Sequence, residues 1–143
     1  TTRSKKISLP VKSGPICCVG AVILNEGRLL LVKRANEPHR GSWSVPGGRL
    51  VSGESWQAAT EREVLEETGL TATCGPLLGW VDRKVGNDLY IIADFSATVV
   101  YPEAATAGDD ATELGFFLPS QIKEIDLSPG LDPFLREHGF VGA

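Results

Sequence analysis

What is scarce in this 143-residue chain narrows its possibilities quickly. It has three cysteines, Cys17, Cys18 and Cys74, an odd number with no CxxC spacing. A disulfide framework is therefore not expected, and the thiols fit a reducing, cytoplasmic compartment. Cys17 and Cys18 are adjacent, so on a strand they point to opposite faces, and at least one is expected to be a small buried hydrophobe. No run of 18 apolar residues occurs, so no membrane-spanning helix is expected. The opening Thr1 to Lys6 is polar and basic, without the apolar stretch of a secretory signal. Methionine is absent altogether, so the first residue is expected either to have been trimmed or to be non-native. Only two histidines occur, His39 and His138, and they share no ligand spacing, so neither receives a role.

Positive charge is also in short supply. Lysine and arginine total 14 against 18 acidic residues, a net charge of −4. Five glutamates and one arginine fall within residues 54–67, and the remaining thirteen acidic and thirteen basic residues cancel. The excess is therefore local. Nothing resembles the basic stripe of a duplex-binding protein, so no nucleic-acid partner is expected. What is present is ordinary globular material: 42% hydrophobic and 22% charged residues, in a length that supports one core.

Residues 1–14 read as a polar lead-in, and 15–143 as a single domain. Ile16 to Leu24 is an apolar run suited to a buried strand, and Arg28 to Arg34 follows as its partner across an Asn25-Glu26-Gly27 turn. Trp43 to Leu50 reads as extended and then sharply turned. A helix is expected from about Ser52–Ser55 to Gly69, with Ala58, Ala59, Val64 and Leu65 on an apolar face opposite its glutamates. Leu77 to Lys84 and Asp88 to Tyr101 read as strands joined around Gly86-Asn87. Glu113 to Leu118 reads as a short strand, and Ser120 to Glu124 and Asp132 to His138 as short helices. Alternating strands and helices place the chain in the α/β class. Trp43 and Trp80 could stack on a base, but tryptophans in a small domain more often belong to its core.

The chemistry concentrates between Gly48 and Leu70. After Gly48 come five residues and Glu54, then seven residues and Arg62-Glu63-Val64-Leu65-Glu66-Glu67-Thr68-Gly69-Leu70. Glu63 and Glu67 are four apart and Glu63 and Glu66 three apart, so on a helix they share a face. Close carboxylates repel by roughly a few kcal/mol per pair at an effective dielectric near 20. Only Arg62 stands nearby as a counter-charge. A cluster of that kind points to a cation, and hard divalent ions take oxygen ligands. Gly47 and Gly48 follow Pro46 in a turn, and their missing side chains allow the backbone to approach such an ion.

This stretch resembles the Nudix box, which reads G, five residues, E, seven residues, R-E-U-x-E-E-x-G-U, with U apolar. Every specified position is matched, and a chance match is on the order of 10⁻⁸ at ordinary residue frequencies. The resemblance implies an α/β/α sandwich with a mixed central sheet, with the box as a loop–helix–loop at its edge. It implies Glu63 and Glu67 as metal ligands together with the Gly48 carbonyl. Glu66 would ligate a second ion or help deprotonate water, which makes Glu63 and Glu66 catalytic candidates. Arg62 would pair with Glu54 to brace the loop against the helix. Arg34, ahead of the box, would meet substrate phosphate. In the later acidic loop of Asp109, Asp110 and Glu113, the favoured accessory ligand or base is Glu113, against the alternative of a merely solvated loop. The implied cofactor is Mg²⁺ or Mn²⁺, and the implied reaction is attack of water on a diphosphate X–P–P–Y. Neither a serine nor a cysteine sits in a nucleophile-elbow pattern, so no covalent intermediate is expected.

The segment Ala107-Gly108-Asp109-Asp110-Ala111 resembles the ADP-ribose pyrophosphatase branch, which cleaves ADP-ribose to AMP and ribose 5-phosphate. The runner-up is a house-cleaning nucleoside triphosphate pyrophosphatase. A third reading, from another class, is a Nudix-fold nucleotide sensor without catalysis. Such sensors typically lose box glutamates, whereas Glu63, Glu66 and Glu67 are all present. The expected partner is thus a small nucleotide substrate, with neither nucleic acid nor membrane. A homodimer is compatible with the resemblance, since dimers are common among Nudix proteins.

Overall fold

The computed structural model describes residues 14–37, 39–108 and 110–140. The lead-in expected over 1–14 lies outside them except for Gly14, as does Asp109. Among the described residues no helix is long and apolar enough to cross a membrane.

The apolar opening run forms β1 (Ile16–Asn25), and β2 (Arg28–Arg34) returns antiparallel to it. The turn between them works because Glu26 and Gly27 both take positive φ, 52° and 77°, as a tight hairpin requires. Two short strands follow, β3 (Trp43–Ser44) and β4 (Gly47–Arg49). The box helix is α1 (Trp56–Thr68), and after it come β5 (Ala72–Val85), β6 (Asp88–Val99) and β7 (Ala111–Phe117). Two short helices close the chain, α2 (Pro119–Ile122) and α3 (Leu131–Glu137).

The sheet is mixed, as expected. Its main path runs β3-β2-β1-β6-β5, with β4 added to β1 and β7 to β2. β1 and β6 are parallel over eight residue pairs, and the other pairings are antiparallel. Because side chains alternate across a strand, β1 serves two cores. Val19, Ala21 and Ile23 face α1, meeting Ala59 and Val64. Val22 faces the other way, towards Ile122 of α2 and Phe134 of α3. Helices therefore cover both faces, which is the α/β/α sandwich.

Three details depart from the sequence reading. β5 starts at Ala72 rather than Leu77, running through Gly75 and Pro76. Its pairing slips between Cys74 and Leu77, and β5 is an edge strand, where a bulge accommodates a proline that cannot donate. Secondly, α1 does not set its glutamates opposite its buried face. Ala58 and Leu65 are exposed, while Glu63 and Glu67 are each 8% exposed and lie beside Ala59, Thr60 and Val64. Thirdly, Trp43 joins the core against Phe117, but Trp80 is 61% exposed on the edge strand β5. The three cysteines are free and half-buried.

Candidate active site

α1 is set by its ends. Ser55 caps its start by accepting from the Ala58 N–H at 3.0 Å, and Gly69 closes it at φ 73°. Between these caps the helix turns Glu63 and Glu67 towards β4, where Gly47 and Gly48 pass without side chains. The Gly47 N–H donates to Glu67 Oε1 at 3.2 Å. A Cβ at Gly48 would lie 2.5–2.8 Å from the Glu63 carboxyl, so only glycine lets that carboxyl lie against the backbone.

Arg62 organises the remaining carboxylates. Its Nε and one terminal nitrogen donate to the two oxygens of Glu54 at 2.7 and 3.0 Å, a forked pair. The same nitrogen that reaches Glu54 Oε1 also donates to the Arg49 carbonyl at 3.0 Å. The other terminal nitrogen reaches Glu63 at 3.0 Å and Glu66 at 3.3 Å. Glu54 additionally accepts from the Val51 N–H at 2.9 Å. The loop and the helix are thus bolted together through one guanidinium, as the sequence reading expected of Glu54 and Arg62.

The carboxyls diverge in their titration. Arg62 hydrogen bonds, and then the Val51 N–H, hold Glu54 down to about 2. Burial, and then the neighbouring Glu63, push Glu67 up to about 8, partly offset by the Gly47 N–H. Glu63 is also raised, chiefly by burial and against the pull of Arg62. Two buried carboxyls that bond to each other and resist ionising together are short of positive charge. Among the described residues no ready-made cluster of three acidic, histidine or cysteine side chains converges. The donors that do converge, Glu63 and Glu67 beside Gly48, are oxygens, which suits a hard divalent cation.

These groups line a cleft of about 290 Å³ with Val32, Arg34, Asn36, Ser44, Gly47, Gly48, Arg49 and Asp110. The structure therefore brings Gly48, Glu63, Glu67 and Arg34 together. Glu66 is set outside, its side chain 56% exposed and tied to Arg62. Glu113 is also outside. It pairs with Lys33 at 3.5 Å across β7 and β2, while the alternating Val32 and Arg34 face the cleft.

Of the acidic residues around Glu113, Asp110 is the one that lines the cleft. It lies close enough to Glu67 to raise that group's pKa, and it accepts from the Asn36 amide at 3.2 Å. Its position follows from the loop ahead of it. The Thr106 and Gly108 N–H groups donate to the carbonyls of Thr68 and Glu67 at 2.9 Å each, satisfying the open end of α1. Gly108 has no alternative, since a Cβ there would strike the Glu66 carbonyl. The signal in the sequence was the glycine directly before the acidic pair; Asp110 lies ahead of β7, whereas Glu113 lies within it opposite Lys33.

Comparison with known proteins agrees with this geometry. The family model described as NUDIX domain matches residues 16–138. An ADP-ribose pyrophosphatase of Methanocaldococcus jannaschii is 38% identical over 106 residues, 72% of this chain and 62% of that protein. The chain thus spans less than two thirds of that relative's length. A MutT-like protein of Streptomyces ambofaciens is 38% identical over 133 residues, covering 86% of this chain and 82% of its own. Among solved structures, a NUDIX hydrolase from Nitrosomonas europaea superposes with a TM-score of 0.76 at 26% identity, covering 88% of this chain and 89% of that one. A complete box, the cleft built around it and these likenesses lead to one conclusion: the chain belongs to the NUDIX domain family.

Proposed function

We propose that this chain is a metal-dependent hydrolase of nucleotide diphosphates, with ADP-ribose as its substrate and AMP and ribose 5-phosphate as products. The observation that carries the reading is the pair of buried, mutually bonded carboxyls Glu63 and Glu67 against Gly48, on the floor of a cleft rimmed by Arg34. The choice of ADP-ribose is supported by the resemblance of the Ala107–Ala111 sequence and by the name of the M. jannaschii relative.

Glu63, Glu67 and the Gly48 carbonyl are the groups that would hold Mg²⁺ or Mn²⁺, which when bound offsets phosphate charge and lowers the pKa of water. Arg34 would receive a phosphate at the rim, and Asp110, beside Glu67, would accept the proton of the attacking water. Arg62 and Glu54 keep the loop and helix in register. Glu66, held outward by Arg62, would have to swing inward to join the ligands. The products separate at the diphosphate, with the water oxygen ending on one phosphate and no covalent link to the chain.

The test is phosphate release, coupled to a phosphatase where needed, across ADP-ribose, sugar nucleotides, dinucleoside polyphosphates and nucleoside triphosphates, with and without Mg²⁺. Glu67→Gln serves as control. Turnover of ADP-ribose that needs metal, and falls by at least ~10²-fold in the control, is the expected result. A preference for triphosphates would move the substrate and keep the chemistry. Nucleotide binding without metal or turnover would overturn the enzyme reading in favour of a sensor.

A further inference from the structure

The box leaves residue 49 unspecified, one of five between Gly48 and Glu54, and this chain places an arginine there. The Arg49 carbonyl belongs to the brace around Arg62, but its side chain has other surroundings. Arg49 is exposed, lines the cleft and lies on β4 opposite Cys18 of β1. One terminal nitrogen donates to the Tyr90 hydroxyl at 3.2 Å, and the guanidinium carbon lies 5.7 Å from the centre of that ring. Among the described residues no carboxylate pairs with it. The cleft holds the carboxyls of Glu63, Glu67 and Asp110, yet this arginine at its rim is held by an aromatic ring and not by a charge.

Strand alternation decides what lies beneath it. Val22 faces α2 and α3, so Ile16 and Cys18 of β1 turn the same way, as do their β6 partners Tyr90 and Ile92 and, on β4, Arg49. Ile16, Cys18, Tyr90 and Ile92 are half-buried, and none belongs to the core around Val22 that α2 and α3 cover. Arg49 therefore reaches from β4 across β1 to β6, over a largely apolar floor. Burial pushes the Cys18 thiol up, and the nearby Arg49 opposes that shift. The residues lining the cleft include no aromatic ring, so a flat, π-bearing part of a substrate finds none beside Glu63 and Glu67. Arg49 is shared by the cleft and by the uncovered end of the sheet, where Tyr90 supplies one.

We propose that the nucleobase of the substrate stacks on the Arg49 guanidinium, which Tyr90 holds at the edge of the cleft, while the diphosphate lies over Glu63 and Glu67. This rests on the reading of the substrate as a nucleotide. Bases stack on guanidinium planes as they do on aromatic rings, and a guanidinium without a carboxylate partner keeps its charge for the cation–π part of the contact. Tyr90 restrains a long side chain that would otherwise lose its rotamer freedom on binding. Stacking uses the face of a base and not its edge, so this contact holds a base without choosing among bases.

The experiment measures equilibrium binding of AMP and of ribose 5-phosphate, which keeps the sugar and phosphate and lacks the base, to wild-type protein and to Arg49→Lys. Lysine retains the positive charge and loses the flat, stacking plane. The variant is expected to bind AMP roughly tenfold more weakly, as the loss of a base stack would make it, and to bind ribose 5-phosphate nearly as wild type does. The Nε–H proton resonance of Arg49 in wild-type protein, expected to shift on adding AMP and not on adding ribose 5-phosphate, needs no variant. An equal loss for both ligands would make Arg49 a phosphate contact, and AMP binding unchanged in Arg49→Lys would put the base elsewhere; either result overturns the proposal. Binding is measured without turnover, so a failure here is separable from a failure of the hydrolase reading.

Discussion

Two glutamates of one short motif behave as opposites. Glu54 lies under a forked arginine and stays ionised down to about 2, whereas Glu67, thirteen residues on, is buried beside Glu63 and holds its proton up to about 8. The same side chain thus serves once as a brace and once as a buried carboxyl without a counter-charge, and the difference is Arg62. Its five donors are spent on Glu54, Arg49, Glu63 and Glu66, and none reaches Glu67. A charge cluster is therefore not one object. Part of it is neutralised within the protein and part is kept short of positive charge.

The sharpest way to break that contrast is at Gly48. Gly48→Ala places a methyl 2.5 Å from Glu63, so the carboxyl must move; since misplacing a reacting group by about 1 Å can cost ~10²-fold, kcat/KM should fall by about that factor with little change in melting temperature. Next in size is the brace. Arg62→Lys cannot fork onto Glu54, and Mg²⁺ affinity measured by calorimetry should drop by roughly 10–100-fold while Glu63 and Glu67 remain. The turnover assay separates the two late acids. Asp110→Asn should lower kcat by about 10²-fold, the lower end of what a general base contributes, and Glu113→Gln should leave it nearly unchanged.

The smallest expected signal is thermodynamic. In metal-free protein Glu67 is protonated when folded up to about 8 but ionises near 4.5 when unfolded. The native state then binds more protons across that window, so stability falls as pH rises from about 4.5 to 8. Glu54 has the opposite sign: its contribution is complete above about 4.5 and is lost as pH falls towards 2. Melting curves of the metal-free protein should therefore decline by several degrees between pH 5 and 8. Glu67→Gln should flatten that decline and leave the acid limb in place.

Much of this was legible in the chain itself. The box spacing located the helix from about Ser52–Ser55 to its cap at Gly69, and the Glu54–Arg62 pair, because each depends on residues close in sequence. The hairpin at Glu26-Gly27 was readable for the same reason. What escaped depends on pairing across the sheet. Whether Asp110 or Glu113 enters the cleft is decided by the loop tied to the end of α1 and by Glu113 pairing across to Lys33, and whether Trp80 is core is decided by β5 lying at an edge. The glutamate face of α1 misled because carboxyls are expected outside, and here two are buried against glycines. The pairing of Arg49 with Tyr90 carried no local signal at all, since the two are 41 residues apart and meet only across strands.

The seam between Thr106–Gly108 and the end of α1 has a consequence for how this molecule tolerates length changes. Residues inserted before Thr106, around the exposed turn at Pro102–Ala104, leave the seam where it is and are absorbed as slack. One residue inserted between Gly108 and Ala111 displaces Asp110 along the chain by up to about 3.5 Å relative to Glu67. The loop is thus free to vary in size on one side of the seam and is gauged to the helix on the other.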